Sequence, residues 1–333
     1  MNSINRSLAG KHVLVTGGAG FIGSHLVDRL ILEKVKRLTV VDNFFLGKHI
    51  NLAEARKKMP DLQIVHADAS NEQVLRNVFS KLNGVDVIFD LAVIPLPTSL
   101  ERPKFCFDTN VMMTSVLCEL LREGLFETLV HFSSSEAYGS ARTVPMSEDH
   151  QLDPLTPYAA SKAASDHLVR TYATTFGVDA IVLRPFNNYG PRQNEQQYAG
   201  VIPTILKCAF EGRAFTLFGD GLQTRDYIYV TDTVQAALDL YKNSQTRGLV
   251  VNIGSGREIS IINLKTKIEQ ILGWEIPVHH RDPRPGDVRR HLADITLLKS
   301  LVEFEPQVSI DEGLRQTIEY YRNSLYTFHK GEK

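Results

Sequence analysis

The sequence is poor in the residues and patterns that mark several broad classes of protein. It holds three cysteines in 333 residues, Cys106, Cys118 and Cys208, an odd number at wide spacing that forms neither a disulfide framework nor a CxxC metal motif. Its formal net charge is −1, so it carries no electrostatic footprint for nucleic acid or for an anionic membrane. We therefore expect buried thiols in a reducing compartment, no metal site and no nucleic-acid partner.

Long apolar runs are also missing. The first residues, MNSINRSLAGK, are polar and lack the apolar core of a signal peptide. No apolar stretch is long enough to span a bilayer as a helix. These features predict a soluble cytoplasmic protein with no membrane partner. The length is sufficient for one large α/β domain or for two linked lobes.

Short β-branched segments alternate with amphipathic helical patterns through the first half of the chain. KHVLVTG stops at a glycine, FIGSHLVDRLILEK has apolar residues at helical spacing, and RLTVVDN is a second strand. The segments LQIVHAD, VDVIFDLA, LVHFSSS and AIVLRPF continue the alternation. Repeated β-α-β order predicts an α/β fold with a doubly wound parallel sheet, which binds ligands beyond the carboxyl ends of its strands.

After about residue 190 the pattern changes. NYGPRQNEQQYAGV is rich in loop-forming residues, IPTILKCAFEG is helical, and FTLFGDGLQTRDYIYV has the pattern strand, turn, strand. INLKTKIEQILG and IDEGLRQTIEYYR are amphipathic helices. We therefore divide the chain into residues 1–190 and a smaller C-terminal lobe, residues 191–333, partly interleaved with the first.

A glycine motif follows the first strand. VTGGAGFIG places Gly17, Gly20 and Gly23 where a strand ends and a helix begins, a context in which the backbone can approach a pyrophosphate. The next strand ends in Asp42, where a carboxylate can accept both ribose hydroxyls and repels a 2′-phosphate. These features favour NAD over NADP. Asp68, at the end of the third strand, is a candidate for the adenine amine and almost equally a solvated loop acid.

Tyr158 and Lys162 are four residues apart in the helical pattern TPYAASKAASDHL and therefore face the same way. A tyrosine has a pKa of about 10, but a neighbouring ammonium group and a positive nicotinamide ring would favour its phenolate. Tyr158 could then take a proton from a hydroxyl group whose carbon loses hydride, while Lys162 holds the nicotinamide ribose. The expected cofactor-binding residues are Gly17, Gly20, Phe21, Ile22, Gly23, Asp42, Asn43, Asp68, Ala69, Leu91, Tyr158 and Lys162.

Five motifs follow one another along the chain: GGAGFIG, SSSEAYG, PYAASK, RPFNNYGP and RDYIYV. In this order they resemble the extended short-chain dehydrogenase/reductases that act on nucleotide sugars, over nearly the whole chain. The resemblance implies a Rossmann-type NAD-binding domain and a smaller substrate-binding lobe. It also implies a UDP-sugar substrate, with UDP-GlcNAc or UDP-glucose first, and a homodimer that pairs the segments around 106–122 and 156–174.

The resemblance assigns roles to individual residues. Ser134 stands at the position of the family's catalytic hydroxyl, which shares a proton with the tyrosine. Asn187 matches a position that contacts the substrate. Arg225 and Arg289 match positions that hold the diphosphate, a role that suits the two-pronged guanidinium group. Arg192 is a weaker candidate for substrate binding.

Glu136 distinguishes the reactions of this family. Its members oxidise C4 of the sugar, and the ketone makes the C5 proton acidic. Glu136 stands two residues after Ser134, where 4,6-dehydratases carry the C5 base, and on a strand both side chains would face the sugar. Many dehydratases have an aspartate between the two, where this chain has Ser135, the last of the catalytic candidates. We rank 4,6-dehydratase first, C4-epimerase second and UDP-glucuronate decarboxylase third.

A second departure from the family lies in FDLAVIPLPTSLERP. Asp90 stands where the family usually has histidine, and the two prolines predict a stiff apolar loop. Thr98 or Ser99 is a candidate substrate contact and equally a packed loop residue. This departure leaves open an elimination that gives a 5,6-ene. A dinucleotide-binding protein without activity and a plain alcohol dehydrogenase, which would release NADH, are the remaining alternatives.

Overall fold

The computed structural model describes residues 6–195, 200–283 and 288–329 of the chain. Its strands are β1 (His12–Thr16), β2 (Arg37–Asp42), β3 (Gln63–His66), β4 (Val87–Asp90), β5 (Thr128–Phe132), β6 (Ala180–Pro185), β7 (Asn187–Tyr189), β8 (Phe215–Phe218), β9 (Thr224–Tyr229), β10 (Val250–Ile253), β11 (Glu258–Ser260) and β12 (Val278–Arg281). Its helices are α1 (Phe21–Leu32), α2 (Ala53–Lys58), α3 (Glu72–Lys81), α4 (Leu96–Glu101), α5 (Pro103–Arg122), α6 (Pro157–Phe176), α7 (Val201–Glu211), α8 (Val230–Lys242), α9 (Ile261–Leu272), α10 (Thr296–Leu301) and α11 (Ile310–His329).

The largest sheet is built from parallel strands. Its seven members lie in the order β10-β6-β5-β4-β1-β2-β3, and every neighbouring pair is parallel. β1 and β5 are buried along their whole length because helices cover both faces of the sheet. One face packs against α1, α8 and α10, and the other packs against α3, α5 and α6. The predicted doubly wound α/β fold is confirmed.

The strand order sets the place of the site. From β1 the chain moves outward through β2 and β3 and then returns to the other side of β1 with β4. Doubly wound sheets bind ligands in the crevice outside such a reversal, at the carboxyl ends of the strands. Here that crevice lies beyond Thr16 and Asp90, which are paired in register at the ends of β1 and β4.

Two small sheets occur in the C-terminal part. One has the order β11-β9-β7, and the other pairs β8 with β12 in parallel. Both surround an apolar core with α7, α9 and α11. The predicted strands around residues 215–230 exist as β8 and β9, but they join different sheets and do not pair with each other. Asn188 and Tyr189, predicted as loop, belong to β7.

The chain returns to the first sheet late in its course. β10 is an edge strand of the seven-stranded sheet, beside β6, and α8 packs on the same face as α1. The division at residue 190 stays a prediction. Among residues 6–195, 200–283 and 288–329, no helix has the length and apolar character needed to cross a membrane. The three cysteines are buried and free, and burial raises the pKa of Cys106 to about 11.

Candidate active site

The turn between β1 and α1 depends on two glycines. Gly17 has a φ of +66°, and a Cβ atom there would lie 2.7 Å from the Ala92 amide nitrogen and 2.8 Å from the Leu91 carbonyl oxygen. A Cβ atom on Gly23 would collide with the Gly17 carbonyl oxygen. The turn therefore packs directly against the segment after β4. No side chain caps α1, so the first amides of this helix are available to an anion.

Asp42 lies beside this turn at the end of β2. Its Oδ2 accepts a hydrogen bond from the Ala19 amide at 2.9 Å, and its Oδ1 accepts one from the Phe44 amide at 2.8 Å. Burial raises the pKa of Asp42, and these backbone hydrogen bonds oppose that shift. The carboxylate keeps lone pairs for the two hydroxyls of a ribose, and its negative charge would repel a phosphate on either of them.

A cavity of about 270 Å³ extends from the glycine turn to the start of α6. It brings together eleven of the twelve expected cofactor-binding residues. They are Gly17, Gly20, Phe21, Ile22, Gly23, Asp42, Asn43, Ala69, Leu91, Tyr158 and Lys162. The exception is Asp68, whose Oδ1 accepts hydrogen bonds from the amide and the hydroxyl of Ser70 at 2.9 and 2.7 Å. Asp68 thus closes a local turn and does not line the cavity.

Tyr158 and Lys162 lie in the first turns of α6. This helix begins where it does because Thr156 caps it, with its Oγ1 accepting a hydrogen bond from the Ala159 amide at 3.1 Å, and because Pro157 fits the first helical position. The Ser134 hydroxyl lies near the Tyr158 hydroxyl and acts to lower the pKa of Tyr158. Lys162 Nζ donates a hydrogen bond to the Phe132 carbonyl oxygen at 2.8 Å, which ties α6 to the end of β5.

Ser134 and Glu136 are not on a strand. β5 ends at Phe132, and residues Ser135–Tyr138 form a short 3-10 turn that Ser134 caps by accepting a hydrogen bond from the Glu136 amide at 3.2 Å. The prediction that strand alternation aligns the two side chains is wrong, because the backbone turns after Ser134. Ser134 and Glu136 are half-buried and both affect the pKa of Tyr158, whereas Ser135 is 3% exposed. None of the three lines either cavity of the site.

The protein's own groups favour the neutral form of the tyrosine. Burial raises the pKa of Tyr158 above its ordinary value, Ser134 opposes this, and the charge of Glu136 adds to it. Burial lowers the pKa of Lys162. We expected the Lys162 ammonium group to lower the pKa of Tyr158, but the groups of the protein alone do not produce this lowering.

A second cavity, of about 660 Å³, lies beside β8, β9 and α7. It is lined by the predicted residues Asn187 and Arg225. Arg225 Nη1 donates hydrogen bonds to the carbonyl oxygens of Val288 at 2.6 Å and Thr224 at 2.9 Å, which hold the guanidinium group at the cavity wall. Pro97 also lines this cavity, but Thr98 beside it is 1% exposed and does not.

Two predicted substrate arginines lie elsewhere. Arg192 pairs with Asp28 of α1 at 2.8 Å, and Arg289 pairs with Asp220 at 2.7 Å on the surface. Neither lines the second cavity. Each guanidinium group pairs with a carboxylate that is distant in sequence, and the assignment of both arginines to substrate binding stays a prediction.

Sequence reasoning missed several residues of the site. Lys207 and Arg213 add positive charge to the second cavity, and Ser133 lines the first. Lys207 lies on one stripe of α7 with Val201 and Thr204, a spacing of three residues that could have signalled a shared face. The predicted stiff loop at residues 94–97 is also wrong in part, because α4 begins at Leu96 with its proline in the first turn.

A model of the NAD-dependent epimerase/dehydratase family matches residues 13–254 of the chain. The chain belongs to this family. The structure of UDP-glucose 4-epimerase from Thermotoga maritima with UDP-glucose is 33% identical, with a TM-score of 0.88, over 94% of this chain and 99% of that one. The structure of dTDP-glucose 4,6-dehydratase from Streptomyces venezuelae with NAD bound is 30% identical, with a TM-score of 0.88, over 95% of this chain and 98% of that one.

A third relative is named for a different reaction. The UDP-N-acetyl-alpha-D-glucosaminuronate decarboxylase of Bacillus cytotoxicus is 33% identical over 94% of this chain and 98% of its own length. The family resemblance inferred from the motifs is thus confirmed, and the protein is an enzyme with NAD as its cofactor. The glycine turn and Asp42 fit that cofactor, since one leaves room for a pyrophosphate and the other offers a carboxylate to a ribose.

Proposed function

We propose that the protein is a nucleotide-sugar 4,6-dehydratase that acts on a UDP-sugar. The observation that carries this proposal is the place of Glu136. Its carboxylate lies near Ser134 and Tyr158, close enough for its charge to raise the pKa of the tyrosine. A C4-epimerase needs no second base, whereas a dehydratase needs one within reach of C5 of the same sugar.

The residues divide the proton transfers among them. When bound, NAD would supply the acceptor for the C4 hydride and the donor that returns it to C6, and C5 takes a proton from solvent once the C6 hydroxyl has left. Tyr158 removes the proton of the C4 hydroxyl, and Ser134, which lies beside it, donates a hydrogen bond to that oxygen. Glu136 removes the C5 proton that the ketone has made acidic. Because Ser135 is buried in the turn, the protonated Glu136 is also the acid that we assign to the C6 hydroxyl as it leaves as water.

The alternative reaction is C4-epimerisation. It is favoured by the similarity to the UDP-glucose 4-epimerase of Thermotoga maritima and by Ser135, which replaces the aspartate of many dehydratases. Under this alternative Glu136 has a structural role in the turn. A decarboxylase ranks third. It is favoured by the similarity to the enzyme of Bacillus cytotoxicus and would act on a sugar with a carboxylate at C6.

The second cavity supports the choice of a nucleotide-sugar. Lys207, Arg213 and Arg225 line it together with one carboxylate, Glu195, and Arg213 also pairs with Glu211. Lys207 and Arg225 are therefore the cations that we assign to a diphosphate. The cavity also holds apolar and aromatic side chains such as Phe215 and Tyr227, which suit a base. The uracil base is chosen from the similarity to a structure that holds UDP-glucose.

A second copy of the chain is the proposed partner. α5 and α6 pack against each other, and their outer faces expose Phe107, Met112 and Phe176. Large apolar side chains that stay in water on neighbouring helices favour association. The cytoplasmic location also stays a prediction.

Product analysis in heavy water tests the proposed reaction. The purified enzyme is incubated with UDP-, GDP- and TDP-sugars, and the products are followed by mass spectrometry and NMR. We expect a UDP-hexose to lose one water and to gain deuterium at C5, with no net release of NADH. An unchanged mass with inverted C4 and no deuterium would establish the epimerase instead. Loss of carbon dioxide from a uronate would establish the decarboxylase.

A further inference from the structure

The cavity assigned to the nucleotide-sugar contains an acid that the proposed reaction does not use. Among the described residues that line this cavity, Glu195 is the one carboxylate, and it shares the wall with the cations Lys207 and Arg225. Its side chain is 23% exposed, so water solvates it only in part. A bare carboxylate there would repel the diphosphate that the two cations attract. Diphosphate binding therefore requires that the charge of Glu195 be compensated.

The partner of Glu195 is Lys48, a residue on the cofactor side of the molecule. Lys48 Nζ donates a hydrogen bond to Glu195 Oε1 at 2.6 Å, and the two groups form an ion pair. Lys48 itself does not line the substrate cavity. It belongs to the loop between β2 and α2, whose residues 45–47 line the cofactor cavity. The ion pair thus joins the wall of one cavity to the wall of the other.

The backbone of Lys48 is attached to the glycine turn. Its amide donates a hydrogen bond to the Ala19 carbonyl oxygen at 3.0 Å, and its carbonyl oxygen accepts one from the Asn51 amide at 3.0 Å. Asn51 Nδ2 donates a second hydrogen bond to the Ala19 carbonyl oxygen, at 2.8 Å. The lysine side chain therefore starts from a position that the turn between β1 and α1 sets.

The segment that leads to Glu195 is attached to the same helix that the glycine turn begins. The Pro191 carbonyl oxygen is hydrogen-bonded to His25 Nε2 of α1 at 3.0 Å. Arg192 forms an ion pair with Asp28 of α1 at 2.8 Å. Lys48 and Glu195 are therefore both held relative to the start of α1, and the pair has a defined place beside the substrate cavity.

We propose that Lys48 neutralises Glu195 in the substrate cavity and so leaves the charge of Lys207 and Arg225 to the diphosphate of the nucleotide-sugar. Lys48 acts through Glu195 and is a positioning residue. The ion pair contributes no net charge to the cavity, whereas either group alone contributes one. The inference rests on the proposed assignment of this cavity to a nucleotide diphosphate, and it holds for a dehydratase, an epimerase or a decarboxylase alike.

Binding of UDP and of uridine to the holoenzyme tests the inference, because the two ligands share base and ribose but differ in charge. Both affinities are measured by calorimetry with NAD bound. Lys48→Met leaves Glu195 uncompensated and should weaken UDP binding by about 3–10-fold. Uridine has no charge for the carboxylate to repel, and its affinity should change by less than about twofold. Both side chains of the pair are partly exposed, so the variants should fold.

Lys57→Met is the matched control. Lys57 also forms an ion pair, with Glu54 at 2.7 Å on α2, but neither residue lines a cavity of the site. This variant removes the same charge from a nearby part of the chain, and it should leave the affinities for UDP and uridine unchanged.

Variants of the acid give the sign of the effect. Glu195→Gln removes the negative charge and leaves Lys48, so UDP affinity should equal the wild-type value or exceed it by up to about threefold. Glu195→Gln combined with Lys48→Met restores neutrality and should bring UDP affinity back to within about twofold of the wild-type value. A purely mechanical link between the two segments would give no such rescue.

Several results would overturn the inference. Equal losses of UDP affinity in Lys48→Met and Glu195→Gln would make the pair a mechanical link, and an equal loss of uridine affinity in Lys48→Met would indicate a distorted cavity. Arg225→Met separates these results from a wrong assignment of the cavity. If UDP affinity falls in Arg225→Met but not in Lys48→Met, the cavity binds the diphosphate and only the inference fails. If it falls in neither, the proposed cavity is wrong and the inference fails with it.

Discussion

Replacement of Gly17 by alanine tests whether the glycine turn between β1 and α1 shapes the cofactor site. Gly17 has a φ of +66°, and a left-handed backbone costs an alanine about 1–2 kcal/mol. The new Cβ atom would also lie 2.7 Å from the Ala92 amide nitrogen, so the segment after β4 must move. Overpacking of this kind costs about 1–3 kcal/mol. We therefore expect the free energy of unfolding to fall by about 2–5 kcal/mol in Gly17→Ala.

Gly10→Ala is the matched control. Gly10 has a φ of +78° but no heavy atom within 4 Å of the Cβ position, so this variant should lose only about 1–2 kcal/mol. Urea unfolding followed by circular dichroism measures both. NAD affinity, measured by calorimetry, should fall about tenfold or more in Gly17→Ala, since Leu91 and Ala92 line the cavity, and should be unchanged in Gly10→Ala. If Gly17→Ala and Gly10→Ala lost equal stability and equal NAD affinity, the proposed role of the glycine turn in the cofactor site would be refuted.

Three further predictions concern the rest of the molecule. Arg225→Met should raise KM for the nucleotide-sugar by about 10–100-fold, because a charge-assisted contact with the substrate is lost. Arg289→Met, outside the second cavity, should change KM by less than about threefold. Equal effects on KM would contradict the assignment of the second cavity to the substrate. Burial lowers the pKa of His291 from 6.5 to about 4, so the unfolded chain binds the proton more tightly, and this residue should cost about 2 kcal/mol of stability between pH 7 and pH 5. In urea unfolding, His291→Gln should reduce the loss of unfolding free energy between pH 7 and pH 5, and His279→Gln, at an exposed position, should not. An equal loss in both variants would contradict this prediction. Met112→Glu should turn a dimer into a monomer in sedimentation analysis at micromolar concentration, and an unchanged sedimentation coefficient would place the interface elsewhere.

The sequence predicted six of the seven strands of the large sheet, because they are short, largely apolar and separated by helical patterns, but it did not predict β10. Each of β1, β2, β4, β5 and β6 carries its own local signal, and the reversal around β1 follows from the rules for parallel sheets. The small sheets were not predicted in this way. Pairing of β9 with β7 and β11 joins segments that are far apart in the chain, and periodicity does not encode such partners.

Site residues were predicted correctly where a sequence motif fixes the local backbone. They were missed where contacts with distant segments determine the position of the side chain. The glycine turn, Asp42 and the pair of Tyr158 and Lys162 line one cavity as expected. Arg289 has the same side chain as Arg225 but pairs with an acid from another segment, a choice that the local sequence does not reveal. Glu136 lies in a 3-10 turn after β5, so strand alternation was the wrong geometric reason for placing it beside the tyrosine.

The central claim is that Glu136 removes the C5 proton, and Glu136→Gln tests it most directly. Glutamine keeps the shape of the side chain but is no base. The measurement is deuterium at C5 of the sugar in heavy water, with ultraviolet absorbance to follow reduced NAD. We expect deuterium incorporation and water loss to fall by about 100-fold or more, while reduced NAD accumulates because C4 is still oxidised. A Glu136→Gln enzyme that turns over its substrate at the wild-type rate would contradict the account and leave Glu136 as a structural residue of the turn.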